Sequence, residues 1–537
     1  MQHYLISLLI FTPLVAAVAA ILIPSRFEST FRYLTLVVNG LQTSLFIYAA
    51  TLFTPDAAFQ FVEQKPWITL DLGTWGQLKA QYFVAVDGLS FPLVGLCVFV
   101  LLLSTISSWT IKTSVKGYFI LMLILNTAII GTFTALDMLL FYLFFEFMLL
   151  PMFFLIAIWG GARREYASIK FFLYTLVGSI LILIVMIALY LSVNEPSGSN
   201  MLVHSFNMLN MAEPSHFISN AILDPNNSWE IGWFDARQWA FLFLFVGFAI
   251  KLPAVPLHTW LPDAHVEAPT PVSVILAAIL LKIGGYGLAR IAFPIFPEAA
   301  MYFSTFVGIV GVVSIIYGGL NAMASKDLKR LIAYSSVSHM GFVLLGLASL
   351  TPEGVSGAVF QMVSHGIISA MLFLIAGVLY DRTHNRTIAY YSGLSAKMKS
   401  YTAFVLVAFF ASMGLPGFSG FMAEILVFLG AFKAPSSNGL LHESFAILAT
   451  AGLVLGAAYY LWTMQRMFFG PLDVKGGANI NHLTDLDRRE WLMLVPLSIA
   501  TLCLGIFPQL LIQFVDPFAR TLTDLVLVTG KSLILIP

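Results

Sequence analysis

Long apolar runs separated by short polar stretches dominate the chain. Fourteen of them reach spanning length, at about 3–23, 32–53, 89–109, 117–135, 137–159, 168–193, 237–262, 271–291, 299–323, 331–350, 356–379, 401–433, 444–468 and 490–514. Runs of this length match helices that cross a hydrocarbon core of about 30 Å. Two are interrupted by proline, the seventh at Pro253 and Pro256 and the twelfth at Pro416. A proline removes a backbone donor and frees a carbonyl. Such groups persist at membrane depth only when buried in protein or lining a wet cavity. Two polar stretches, 54–88 and 194–236, are too short for a catalytic domain and are expected to cap one face. The tail at 516–537 reads as an amphipathic or partly inserted helix.

The pattern predicts an all-α polytopic membrane protein, and composition strengthens that reading. Of 537 residues, 59% are hydrophobic and 10% charged, against about 25% charged in soluble domains. Disordered, cytosolic and nucleic-acid-binding classes are excluded; with 27 basic and 27 acidic residues there is no basic excess to attract nucleic acid. Cys97 and Cys503 lie in apolar runs with no disulfide or cluster spacing, and read as core fillers. The first run has no basic segment before it and is long enough to span, so it reads as a helix rather than a cleavable signal. Eighteen Lys and Arg fall in loops on one side and seven on the other, with Lys251 and Lys282 inside spans. Positively charged loops stay in the cytoplasm, which places both termini outside.

Helices four to eight (117–291) and nine to thirteen (299–468) form two five-helix units, after an N-terminal part at 1–116 and before a last helix and tail at 469–537. An odd number of crossings per unit inverts the second relative to the first. The proline-broken helix is the fourth of each unit, and paired broken helices in inverted halves point to a transport site near the membrane midplane.

Four ionisable groups sit near the middle of spans: Glu146, Lys251, Lys282 and Glu424. A charge at the bilayer centre costs about 3 kcal/mol on insertion scales, so these groups need partners or water. Buried ion pairs that lock helices together are one explanation. A polar path for protons is the other, favoured because Lys251 and Glu424 lie beside helix breaks. His339 and His365, in adjacent spans, and His258 and His265, around the inner end of the seventh helix, extend the series. A lone helical histidine is usually a satisfied core residue, but imidazole also passes protons near neutral pH. No HxxxH or HExxH spacing favours metal ligation. Asp137 and Asp87 read as helix N-caps. Gly530-Lys531-Ser532 lacks the preceding glycine of a phosphate-binding loop.

The run Lys251 to Gly287, KLPAVPLHTWLPDAHVEAPTPVSVILAAILLKIGGYG, resembles the signature of the antiporter-like subunits of respiratory complex I, a family shared with Mrp-type sodium/proton antiporters and membrane-bound hydrogenases. LLFYLFFEFMLLPMFFLIAIWG, from Leu139, and ASMGLPGFSGFMAEILVF, from Ala411, are similar to the family's fifth and broken twelfth helices. A glutamate rather than a lysine in the twelfth helix, and only a short tail after the fourteenth, set the chain apart from sister subunits of the L and N type. The resemblance implies a non-redox, proton-translocating subunit of an NADH–quinone oxidoreductase in a bacterial plasma membrane. It implies Glu146 and Lys251 as a charge pair, Lys282 as the central lysine, His339 and His365 as relays, and Glu424 as the terminal group. It also implies neighbouring L- and N-type subunits and lipids as partners, with FMN, Fe–S clusters and quinone held in other subunits and none in this chain. An Mrp-type Na⁺/H⁺ antiporter subunit, or the equivalent hydrogenase subunit, is the alternative. A purely structural scaffold would explain the helices but not the placed charges.

Overall fold

The computed structural model describes residues 4–56, 58–71, 77–195, 203–226, 229–474 and 483–534. Lys475 of the basic loops and parts of the 54–88 and 194–236 stretches lie outside the described residues. In chain order, the helices are α1 (Leu5–Leu22), α2 (Glu28–Leu52), α3 (Ser90–Thr110), α4 (Val115–Thr134), α5 (Met138–Trp159) and α6 (Arg164–Ser192). Next come α7 (Ala236–Lys251), α8 (Trp260–Glu267) and α9 (Thr270–Ile295). They are followed by α10 (Ser304–Ala324), α11 (Leu328–Ala348), α12 (Pro352–Thr383), α13 (Lys399–Ser412) and α14 (Ser419–Ser437). The last are α15 (Ser444–Phe468), α16 (Arg488–Ile506) and α17 (Gln509–Ile534). Twelve helices among the described residues are long and apolar enough to cross a membrane. The residues of the other two expected spans, 237–262 and 401–433, fall in the shorter helices α7/α8 and α13/α14, interrupted where the prolines are.

Capping explains many of the starts. Asp235 and Gln238 form a reciprocal capping box on α7, and Asp487 and Glu490 do the same on α16. Asp327 caps α11 through the Arg330 amide, and Thr351, with Pro352 behind it, starts α12. Asp137 caps α5 as expected, accepting from the amides of Leu139 and Leu140. α12 extends beyond the apolar run at both ends because its charged terminal turns stay helical. The fourteenth expected span stops early: Pro508 has no N–H to donate and restricts Phe507, so α16 ends at Ile506.

Two details of the face that carries the 54–88 and 194–236 stretches go beyond the expectation. The two stretches pair with each other. β1 (Gln60–Asp71) and β2 (Gln77–Val86) form an antiparallel hairpin, and β3 (Val203–Ser205) adds to β2 in parallel. The ion pair of Lys79 with Glu195, at 2.9 Å, ties the two stretches further. The tail is also longer than expected. α17 has 26 residues, about 39 Å of helix. It lies on this hairpin face with Leu511, Val515, Phe518, Leu522 and Val526 buried, a spacing that gives one apolar side. Phe514 packs on Phe53 and Phe91 near one end, and the other end meets the Pro297–Tyr302 turn.

Burial is uneven. α9 and α12 are buried throughout and α11 nearly so, whereas α1, α2, α6, α15 and α16 each present apolar side chains outward. The three buried helices form the centre around which the others pack. On the face opposite the hairpin, ion pairs fix α8: Lys170 meets Asp263 at 2.7 Å and Arg163 meets Glu267 at 3.7 Å. Arg386 reaches the Val266 carbonyl and Asp327. Arg382 bridges α12 to α16 through both carboxylate oxygens of Glu490 and through the carbonyls of Thr484 and Asp485. Arg382→Ala leaves the buried Glu490 without its partner and is expected to cost about 3–5 kcal/mol. The measurement is the thermal midpoint and yield of the purified assembly; a midpoint equal to the parent would show that this bridge is dispensable.

Candidate functional site

The eight residues singled out in the sequence are spread along the buried centre. Lys251 is the last residue of α7, where the chain leaves the helix for the Leu252–Thr259 break. The break is held by backbone groups: Trp260 Nε1 donates to the Ile250 carbonyl at 2.8 Å, and the Val255 amide donates to Ser314 Oγ at 3.0 Å. Lys251 is 4% exposed. Its Nζ donates to the Phe145 carbonyl at 3.3 Å and sits 3.4 Å from the centre of the Phe145 ring. That carbonyl lies in the turn before α5 is itself interrupted, at Met148 between Phe147 and Leu149, three residues before Pro151. Glu146 lies next to this contact. Its Oε1 is buried without a hydrogen-bond partner, and its charge is near enough to act on Lys251. The expected pair is therefore a proximity rather than a closed salt bridge.

Lys282 is completely buried on α9. The turn before it, Leu276–Leu280, is π-helical, a widening that often marks functional positions. Its Nζ lies 2.7 Å from the Ala277 carbonyl and 2.7 Å from Nδ1 of His365 on α12. Among the described residues no carboxylate is paired with it. The His365 ring centre is 5.4 Å from that of His339 on α11. His339 in turn meets Oε1 of Glu424 at 3.5 Å through Nδ1, and Ser412 Oγ at 3.2 Å through Nε2. A cavity of about 10 Å³ lies between the two histidines, lined also by Gln361, Ser364, Ser412 and Gly420. That volume is close to the least that holds one water.

Glu424 lies one and a half turns into α14, past the Met413–Phe418 break. Its Oε2 is buried and unpartnered. Gly414, at φ +72°, faces it: a Cβ there would stand 2.4 Å from Oε2. Glycine is required on both counts, for the left-handed backbone and for the space the carboxylate occupies.

His258 and His265 do not join this chain of contacts. His258 lies in the α7/α8 break beside Tyr317 and Tyr334. His265, on α8, is wholly buried, stacks on Phe373 with centres 4.5 Å apart, and has no partner at either ring nitrogen. Hydroxyl groups add what the sequence did not signal: Ser412 Oγ meets Tyr460 OH at 2.7 Å, and Tyr460 OH donates to Ser335 Oγ at 3.1 Å. Lys329, assigned to a loop from the sequence, is buried as well, and Arg290, also assigned to a loop, has a side chain only 9% exposed. Lys329 donates to the Ala268 carbonyl and to Ser273 Oγ, and Arg290 pairs with Asp87.

Lys282, the histidine pair and the buried Glu424 thus follow one another in a row, with Lys251 and Glu146 forming a separate group. Such an arrangement can hand protons along.

The family model described as NADH:quinone oxidoreductase/Mrp antiporter, transmembrane, matches residues 135–450. The chain is 41% identical over 521 residues to NADH-quinone oxidoreductase subunit M of Rhodobacter capsulatus, covering 96% of this chain and 95% of that protein. It is 40% identical to NAD(P)H-quinone oxidoreductase chain 4 of Synechococcus elongatus, covering 95% and 89%. Among solved structures, a chain of respiratory complex I from Thermus thermophilus superposes with a TM-score of 0.79 at 30% identity, covering 98% of this chain and all of that one. A chain of the Mrp complex from Dietzia shares the fold, with a TM-score of 0.78 at 20% identity.

Proposed function

The chain belongs to the NADH:quinone oxidoreductase/Mrp antiporter family as an antiporter-like membrane subunit of the complex I kind, and we propose from this that it moves protons from the basic face to the hairpin face of a bacterial plasma membrane. The observation that carries the proposal is the direct contact of Lys282 with His365, within a row that runs on through His339 to Glu424.

In this reading Glu146 and Lys251 load the first half of the path. An opposite charge nearby favours the ionised lysine, and burial without it favours the neutral one; a small change in their separation therefore shifts the proton toward Lys282. His365 accepts at Nδ1, and one water in the adjoining cavity carries the proton past His339. Glu424 passes it outward. The broken helices supply the polar backbone at these points, and 117–291 and 299–468 are the two inverted halves. The basic loops lie in the cytoplasm and both termini outside. FMN, Fe–S clusters and quinone belong to partner subunits, and L- and N-type neighbours flank this one; the chain itself contributes no redox group.

The test is Lys282→Met in the native assembly, reconstituted in vesicles. The reading expects NADH-driven acidification to fall below detection with the subunit composition unchanged. Acidification at the parental rate would remove Lys282 from the path.

A further inference from the structure

Eight residues beyond Lys282, about 12 Å along the helix toward the hairpin face, α9 carries Arg290. Its Nη2 lies 2.5 Å from Asp87 Oδ1, and the two side chains are only 9% and 3% exposed. The same carboxylate oxygen accepts from the amides of Leu89 and Ser90 and from Ser90 Oγ. The guanidinium is enclosed by three rings: Tyr286, one turn back toward Lys282 at 5.6 Å, Phe518 of α17 at 5.3 Å, and Phe59, just before β1, at 5.1 Å. The cover is close. A Cβ on Gly88 would stand 2.0 Å from the Phe514 carbonyl oxygen of α17.

A helix-capping aspartate needs no arginine, and a buried ion pair is weak evidence for stability. Position explains it better. A carboxylate on the hairpin-face side of Lys282 is the natural acceptor for a proton leaving the lysine in that direction. Arginine does not deprotonate in proteins, so it cannot carry the proton itself. We propose that Arg290 clamps and occupies the Asp87 carboxylate, and so closes a direct outward exit from Lys282, leaving the lateral step to His365 open. The clamp rests on the reading of Lys282 as a proton carrier. It makes Arg290 and Asp87 positioning residues that enforce direction, not carriers in the productive path.

The experiment measures passive proton entry into vesicles holding the complete assembly, under an imposed pH gradient and without NADH. Arg290→Gln is expected to raise the entry rate several-fold and to lower protons moved per electron while redox turnover persists. Adding Asp87→Asn removes the acceptor and is expected to restore a tight membrane, although it breaks the same ion pair. A leak that persists in that double variant, or no leak in Arg290→Gln, overturns the clamp. If Arg290→Gln gives no assembled complex, Arg290→His takes its place: imidazole loses its charge as pH rises through about 6.5, so the leak should appear only on the alkaline side, and equal tightness on both sides overturns the clamp. Adding Lys282→Met to Arg290→Gln separates the two readings. Loss of the leak supports both, whereas a leak that survives there, even one that vanishes with Asp87→Asn, runs by a route that bypasses Lys282 and overturns the clamp, while the reading of Lys282 itself is decided by the acidification assay.

Discussion

Replacing Lys251 by alanine is expected to abolish proton pumping by the assembly and to lower its redox turnover at least about tenfold, an increase of about 1.4 kcal/mol in the limiting barrier. The residue ends α7 at the break, its ammonium held by the Phe145 carbonyl and ring with Glu146 beside it. Alanine removes the ammonium at that point and leaves Glu146 without its nearby cation. In a tightly coupled machine, electrons stall when protons cannot move, so both readouts fall together. Glu146→Gln is expected to act in the same direction and Glu146→Asp more mildly, because charge is kept and only reach is lost. Vesicle acidification and NADH oxidation, measured on one preparation with its subunits verified, decide the matter. Parental values for Lys251→Ala in a normally assembled complex would remove the first half of the path.

Glu424→Gln is expected to reduce pumping to near background while leaving the complex assembled. The amide keeps the shape that Gly414 accommodates and the contact with His339, but it cannot take up a proton. Glu424→Lys is the more informative exchange. The family resemblance implies lysine at this position in sister subunits, so partial pumping would show that a titratable group is needed there rather than a negative charge. If Glu424→Gln pumped at the parental rate and Glu424→Ala only reduced yield, the carboxylate would be a structural acceptor for His339, and the path would end at the histidines.

The parts of the site that were legible in the sequence are those that violate a membrane rule. Glu146, Lys251, Lys282 and Glu424 stand out because charge in an apolar run needs a reason, and Pro253, Pro256 and Pro416 because they break helices. What escaped was of three kinds. Ser335, Ser412 and Tyr460 carry no charge, and hydroxyls are common in membrane helices, so nothing marks the few that bond one another. Arg290 and Lys329 fall at the ends of apolar runs, where hydropathy cannot tell a loop cation from a buried one; only the packing of α17 and α8 over them decides. The strands β1 to β3 were hidden because hairpin and sheet pairing join residues far apart in the chain, such as Gln77 with Val203. The same limit let His258 and His265 look like members of the row, since nearness in sequence to Lys251 says nothing about which way a ring faces after a break.

The π-helical turn at Leu276–Leu280 has a geometric consequence for the whole of α9. A π turn is an α-helix with one surplus residue, and each residue rotates the remainder by about 100°. Excising a single residue there would leave a helix of nearly the same length and apolarity, with its first turns still seated against α3 and α12. Everything after the excision would point elsewhere: Lys282 would turn away from His365, and Arg290 away from Asp87. The two contacts that give the helix its chemistry are thus set by phase rather than by composition, and a chain can lose them by miscounting one residue without changing a single charge.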